Sequence, residues 1–257
     1  MKKAAIFNKG EITNIYVDLI VKHFLKMTDM SANDLNINDI IVLEDESLPP
    51  LFSNLEANDS RKTEIIKRHA AMHNKADYFV IPNDEDFFKY GWVIRGKNAN
   101  VIAQCSAVKR MSRDYRIDKL GFLAPSSITS LPTFKSEFEG RKIKVSQTNQ
   151  KEIDRIFNEI LIPKECSVEE LKLAKDNLLT IAYDLKCSRA EAIVSYSDEI
   201  NDLLNQSDFD DIDIRHISSV DAHTRLTAFE LSRSIDSPKE LGKKDPRLVY
   251  ELSQNTW

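Results

Sequence analysis

Two histidines four residues apart, His69 and His73, are the first residues whose spacing could do chemistry. On a helix that spacing sends both imidazoles from one face, where they could share a metal ion. Ala70 stands where the two-histidine zinc pattern places a glutamate, and two ligands do not make a site. A third ligand would have to come from a carboxylate, or from His23, His216 or His223 brought close in space. The neighbours Arg61, Lys62, Lys67 and Arg68 instead describe a basic, solvated helix. The expectation is therefore no bound metal and no cofactor, with His69 and His73 as the residual metal candidates.

Acids concentrate in a second run, where Asp208, Asp210, Asp211 and Asp213 follow Ser207. On a strand, alternation would put Asp211 and Asp213 on one face, opposite Ile212 and Ile214. That resembles the paired aspartates with which nucleotidyltransferases hold two metals. The Gly-Ser turn that accompanies those aspartates is missing, since no glycine lies between Gly140 and Gly242. A solvated acidic loop entering a short strand is the expectation. Residues 91–98 come within one residue of a phosphate loop, but Asn98 stands where a hydroxyl must ligate magnesium, and no helix pattern comes after it. With six glycines in 257 residues, most glycine-dependent phosphate cradles and nucleophile turns are disfavoured.

Charge is distributed unevenly. Residues 1–147 carry 22 Lys/Arg against 19 Asp/Glu, while residues 148–257 carry 14 against 22. Residues 61–119 alone hold 13 basic and 7 acidic side chains, a block of net +6. Aromatic residues interleave with it, and cationic grooves with stacking surfaces suit single-stranded nucleic acid. Arg95, Lys97, Lys109, Arg110, Arg113 and Arg116 are the candidate phosphate contacts.

The segment 179–193 adds a second hint. Ala182 in a first helix, Leu185 and Cys187 about a turn, and Ser188-Arg189 opening a second helix resemble the helix–turn–helix or ribbon–helix–helix DNA-binding pattern over roughly 20 residues. Lys186 replaces the turn glycine, and Ser195 stands at a usually apolar position. An ordinary helical hairpin explains the same residues.

The elements that must position these groups can be read from periodicity. Ala4 to Phe7, Asp39 to Leu43 and Tyr78 to Ile81 read as buried strands. Between them, Ile12, Ile15, Tyr16, Leu19, Ile20 and Phe24 paint one face of a helix, and a second helix spans Ser60 to His73. This alternation favours an α/β layer. Residues 92–95 and 101–104 flank turn residues 96–100 and read as a hairpin; Gly121 to Ser136 reads as a long surface loop or linker, and Lys142 to Val145 as a last strand. Capping boxes at Ser167/Glu170 and Ser188/Glu191 predict helices near 168–185 and 189–204, packed as an antiparallel pair across Lys186-Cys187. Ser237-Pro238 and Asp245-Pro246 are further helix starts.

The fold class is thus α+β or α/β: an N-terminal mixed α/β domain with a β-hairpin, residues 1–147, then a mainly helical acidic domain, residues 148–257. Three scattered cysteines, Cys105, Cys166 and Cys187, fit buried or partly buried thiols in a reducing compartment. No signal-peptide core or membrane-length apolar run is visible, so the expected location is cytoplasmic. The function expected from these residues is a nucleic-acid-associated accessory or regulatory protein, DNA-binding through the basic hairpin surface. A protein partner or homodimer would form through the C-terminal helices, and no membrane contact is expected. A metal-dependent hydrolase or nuclease using His and Asp ligands, and a non-catalytic protein-interaction factor, are the alternatives. The residues favour a non-enzyme without deciding it.

Overall fold

The structure is a computed structural model that describes residues 2–7, 11–43, 67–72, 75–82 and 100–233. The chain divides into two compact units. One comprises the described residues of Met1–Pro82, Tyr90–Ala103 and His223–Trp257, the other Gln104–Ala222. Residue 147 falls within the second unit. The fold is mixed α/β with parallel sheets.

In the first unit four strands of three residues pair in the order β2-β1-β3-β4, all parallel. They are β1 (Ala4–Ile6), β2 (Ile41–Leu43), β3 (Tyr78–Val80) and β4 (Asn100–Ile102). Register places Ala4 between Ile41 and Tyr78, and Tyr78 beside Asn100. Parallel strands buried on both faces carry continuous apolar runs, and β1 and β3 are buried throughout. Helix α1 (Glu11–Thr28) buries part of the face its spacing predicts: Tyr16, Ile20 and Phe24 are fully enclosed, Ile12 and Leu19 are half-buried and Ile15 is exposed. β4 pairs in parallel with β3. The other limb of the expected hairpin, residues 92–95, and its turn at 96–99 lie outside the described residues, as do the helix starts at Ser237 and Asp245 and most of the helix from Ser60.

A buried histidine fastens this unit. His223 is fully enclosed, and its Nε2–H donates to the Ile102 carbonyl at 2.8 Å. Nδ1 is then the acceptor facing the Tyr16 hydroxyl at 3.3 Å, with the two rings edge-on at 5.4 Å. Loss of solvation pushes the imidazole pKa down to about 4, opposed in part by the Ile102 carbonyl.

The second unit is built on β5 (Leu120–Leu123), β6 (Ala192–Ser195) and β7 (Arg215–Ser218), parallel and in that order. Helices α2 (Gln104–Asp114), α3 (Ser126–Thr129), α4 (Pro132–Glu137), α5 (Gln147–Arg155), α6 (Val168–Cys187), α7 (Asp198–Leu203) and α8 (Ser207–Asp210) belong to it, with a π-helical turn at Ile156–Leu161 between α5 and α6; α9 (Ser219–Ser232) starts directly after β7 and from His223 onward belongs to the first unit. One sheet face meets α6: Leu123 and Ile193 pack with Leu178, Ile181, Leu185, Ile153 and Phe209. The other face, by strand alternation, carries Phe122 and Tyr196, which close an aromatic cluster with Phe134 and Phe138. Gly121 allows the approach of α6, because a Cβ there would sit 2.8 Å from Ile193 Cδ1 and 3.1 Å from Leu185 Cβ.

Several local expectations change here. Gly121 to Ser136 is no surface linker: it holds most of β5 with α3 and α4, and Phe122, Leu123, Ala124 and Phe134 are fully buried. Lys142 to Val145 makes a single parallel bridge, from Lys142 to Leu120, rather than a strand. The first capping box is formed at Ser167 and Glu170. The second is not, and the helix expected over 189–204 gives way to β6 and the short α7. Arg189 turns left-handed at φ 74, and the Glu191 carboxylate accepts the backbone N–H groups of Asp118 at 2.6 Å and Lys119 at 3.1 Å. The acidic segment 148–257 therefore contributes two of the three strands of this sheet. Left-handed backbone recurs at Asp29, Arg116, Lys164 and Asp213.

Candidate functional site

Crevices at the carboxyl ends of parallel strands are where α/β folds place their chemistry. In the second sheet those ends lead into Pro125-Ser126 after β5, Tyr196-Ser197-Asp198 after β6 and Ser219 after β7. Ser197 and Asp198 are 8% and 7% exposed, and the Ser197 Oγ accepts the Ile200 N–H at the start of α7.

Beneath this rim lies a polar network on the α6 face of the sheet. The Asn201 amide nitrogen donates towards the Ser195 carbonyl at 3.2 Å, the Ser197 carbonyl and the Ser219 hydroxyl at 3.1 Å. Two carbonyls facing that end of the amide fix its orientation, so Oδ1 is the atom 2.7 Å from the Ser195 Oγ. An amide oxygen only accepts, which makes the Ser195 hydroxyl the donor to it. The His216 Nε2, also 2.7 Å from that Oγ, must then carry a proton and donate. His216 stacks on Phe209 at 4.3 Å with an interplanar angle of 11°, and burial pushes its pKa down to about 4, against the opposing charges of Asp221 and Asp208. Desolvation selects the neutral imidazole, and the network places its proton on Nε2.

This polarity decides what the pair can do. A serine nucleophile needs histidine to accept its proton. Here the histidine donates to the serine, and Ser195 is fully buried. Ser195 and His216 are therefore no hydrolytic dyad. They form the inner layer under Ser197 and Asp198.

The candidates from the sequence lie elsewhere. His69 is buried in a helical stretch over 67–72 with its ring 4.4 Å from Phe79, while His73 lies outside the described residues. The aspartates do not line a strand: Asp208 and Asp210 sit in α8, Asp208 pairs with Lys175 at 2.6 Å, and Asp213 is fully exposed. Among the described residues no group of three or more His, Cys, Asp or Glu could hold a metal ion. Lys109, Arg110 and Arg113 lie on α2, where Lys109 pairs with Glu137 at 2.7 Å and Arg113 donates to the Lys109 carbonyl at 3.3 Å. Arg116 sits just beyond in a left-handed turn; Arg95, Lys97 and the near phosphate loop at 91–98 lie outside the described residues. Cys105 is buried, Cys166 half-buried and Cys187 exposed, all free. Ser197, Asn201 and Ser219 carry no signal of this network in the sequence, and Ser195 carries little. One trace was visible, a serine at residue 195 where a helical hairpin would want an apolar side chain.

No protein-family model matches the chain, and no curated protein does. Solved structures do. An aspartate racemase homologue from Pyrococcus horikoshii OT3 superposes with a TM-score of 0.68 at 17% identity, covering 91% of this chain and 100% of that one. Glutamate racemase from Bacillus anthracis gives 0.57 at 8% identity, covering 91% and 83%. Allantoin racemase from Klebsiella pneumoniae gives 0.53 at 12% identity, covering 97% and 93%. The chain thus has the α/β fold of these racemases over about nine-tenths of its length or more.

These likenesses overturn the expectation of a nucleic-acid-associated, DNA-binding regulatory protein. The physical reasons are local. The presumed second DNA-binding helix is strand β6, and the arginines and lysine of 109–113 lie on a helix, one of them already paired with a carboxylate. The hydrolase or nuclease and the non-catalytic interaction factor find no support in the same likenesses. No helix among the described residues is long and apolar enough to cross a membrane.

Proposed function

We propose that the chain is a racemase-type enzyme that inverts a carbon centre next to a carbonyl or carboxyl group of a small polar substrate. Such a reaction removes a proton from one face of the carbon and returns one to the other, so the net change is configuration alone. The observation that carries the reading is the near-full-length fold likeness to a glutamate racemase, an allantoin racemase and an aspartate racemase homologue. The rim of the second sheet supports it. Asp198 supplies an enclosed carboxylate suited to proton transfer, and Ser197 a hydroxyl able to donate to a substrate oxygen.

The test is incubation with single enantiomers of aspartate, glutamate and allantoin in deuterium oxide, with products read by chiral chromatography and mass spectrometry. The expected result is loss of optical purity with one deuterium at the inverted carbon. Asp198→Asn should lower that rate by about 100-fold or more. Retention of configuration across the panel, with no deuterium uptake, would sink the reading. A cytoplasmic homodimer completes the proposal, since the outward side of α6 keeps Val168, Leu173 and Tyr183 exposed while its inner stripe fills the core.

A further inference from the structure

We infer that His216 is a positioning residue for the carboxyl end of β6, acting through Ser195 and Asn201 without touching substrate. The inference rests on the proposed reaction site at Ser197 and Asp198. Its basis is the direction of the hydrogen bonds, which form a one-way chain: His216 Nε2–H to Ser195 Oγ, Ser195 O–H to Asn201 Oδ1, and the two Asn201 amide N–H groups shared among three oxygens. Those oxygens belong to Ser195 and Ser197, which bracket the turn out of β6, and to Ser219, directly after β7. The last link therefore ties the two strand ends together.

Each link has one workable direction. If His216 carried its proton on Nδ1, Ser195 would have to donate to Nε2, and the Asn201 Oδ1 would lose its 2.7 Å donor. A bare buried acceptor costs more than the bond it once made. The neutral Nε2–H form is thus selected by the network, and each bond polarises the next. Stacking on Phe209 and the bond from the His216 backbone N–H to Gln206 Oε1 at 3.1 Å hold the imidazole itself in place.

Two substitutions separate this role from simple packing. His216→Phe keeps a flat ring for Phe209 and removes the donor. His216→Gln loses the ring and keeps an N–H donor at the place of Nε2. In the intact protein, hydrogen exchange at the Ser197 backbone and the Asn201 side-chain amide should quicken by about fivefold in His216→Phe and stay near wild type in His216→Gln. Nitrogen NMR of the wild-type protein should find the His216 proton on Nε2 near neutral pH. If racemisation is detected, His216→Phe should lower kcat with little change in KM, and His216→Gln should restore it. A proton on Nδ1, or exchange that quickens in the Gln variant and not in the Phe variant, overturns the inference. Exchange and NMR read the chain whether or not any panel substrate reacts, so a failed activity assay counts against the proposed reaction alone.

Discussion

Acid should unfasten the first unit at His223. The imidazole titrates near 6.5 when exposed and near 4 in the fold, because its fully enclosed site disfavours the charged form. The folded value lies below the unfolded one, so the unfolded chain binds the proton first as pH falls. The stabilisation is complete above pH 6.5, drains away between 6.5 and 4, and changes no further below that. A gap of about 2.5 units at 1.36 kcal/mol each amounts to about 3 kcal/mol, a large share of ordinary domain stability. The measurement is urea unfolding at several pH values from about 7.5 to 4, for wild type and His223→Gln. Glutamine keeps an N–H for the Ile102 carbonyl and cannot titrate. Its stability at the upper end of that range should be lower than wild type, and the difference should close or reverse towards the acid end. Every other group, His216 included, is common to both proteins and cancels. Parallel stability curves across the range would refute the reasoning.

Two substitutions in the second unit test the packing of α6 on the sheet. Ile181→Asp would bury a carboxylate among apolar neighbours, at 3% exposure, and should cost several kcal/mol, seen as loss of the cooperative melt or of solubility. An unchanged melting temperature would mean that α6 does not pack as drawn. Gly121→Leu should cost at least ~1–3 kcal/mol in thermal or chemical melts, because its first side-chain atom already meets Ile193 and Leu185. A neutral effect would show that this approach is looser than the 2.8 Å and 3.1 Å separations imply.

Strong periodicity made some of the fold legible. Tyr16, Ile20 and Phe24 recur at helical spacing and are buried as such, and the Ser167/Glu170 box does begin a 20-residue helix. The same Ser-x-x-Glu signature misled at Ser188. A three-residue apolar run such as Ala192 to Val194 fits a strand or a buried helix equally well in isolation. Its partners decide, and β5 and β7 begin 72 residues before and 23 after it. Glu191 likewise reaches backbone amides 72 and 73 residues away. The candidate site was hidden for the same reason. Ser195 and His216 are 21 residues apart and meet only because β6 pairs with β7. The aspartates drew attention by their density, yet their charges are spread over a short helix and its exposed turn. Charge counts located a basic block without saying that Lys109 already had a carboxylate partner.

The left-handed residues show how a chain with so few glycines turns corners. Among the described residues, Asp29, Arg116, Lys164, Arg189 and Asp213 adopt positive φ with a side chain attached, each at a steric cost of about 1 kcal/mol or more. Glycine at any of them would relieve that strain but would also loosen the unfolded chain, offsetting part of the gain. The protein thus carries a distributed reserve of adjustable stability, sited at turns. The melting point can be raised or lowered one corner at a time.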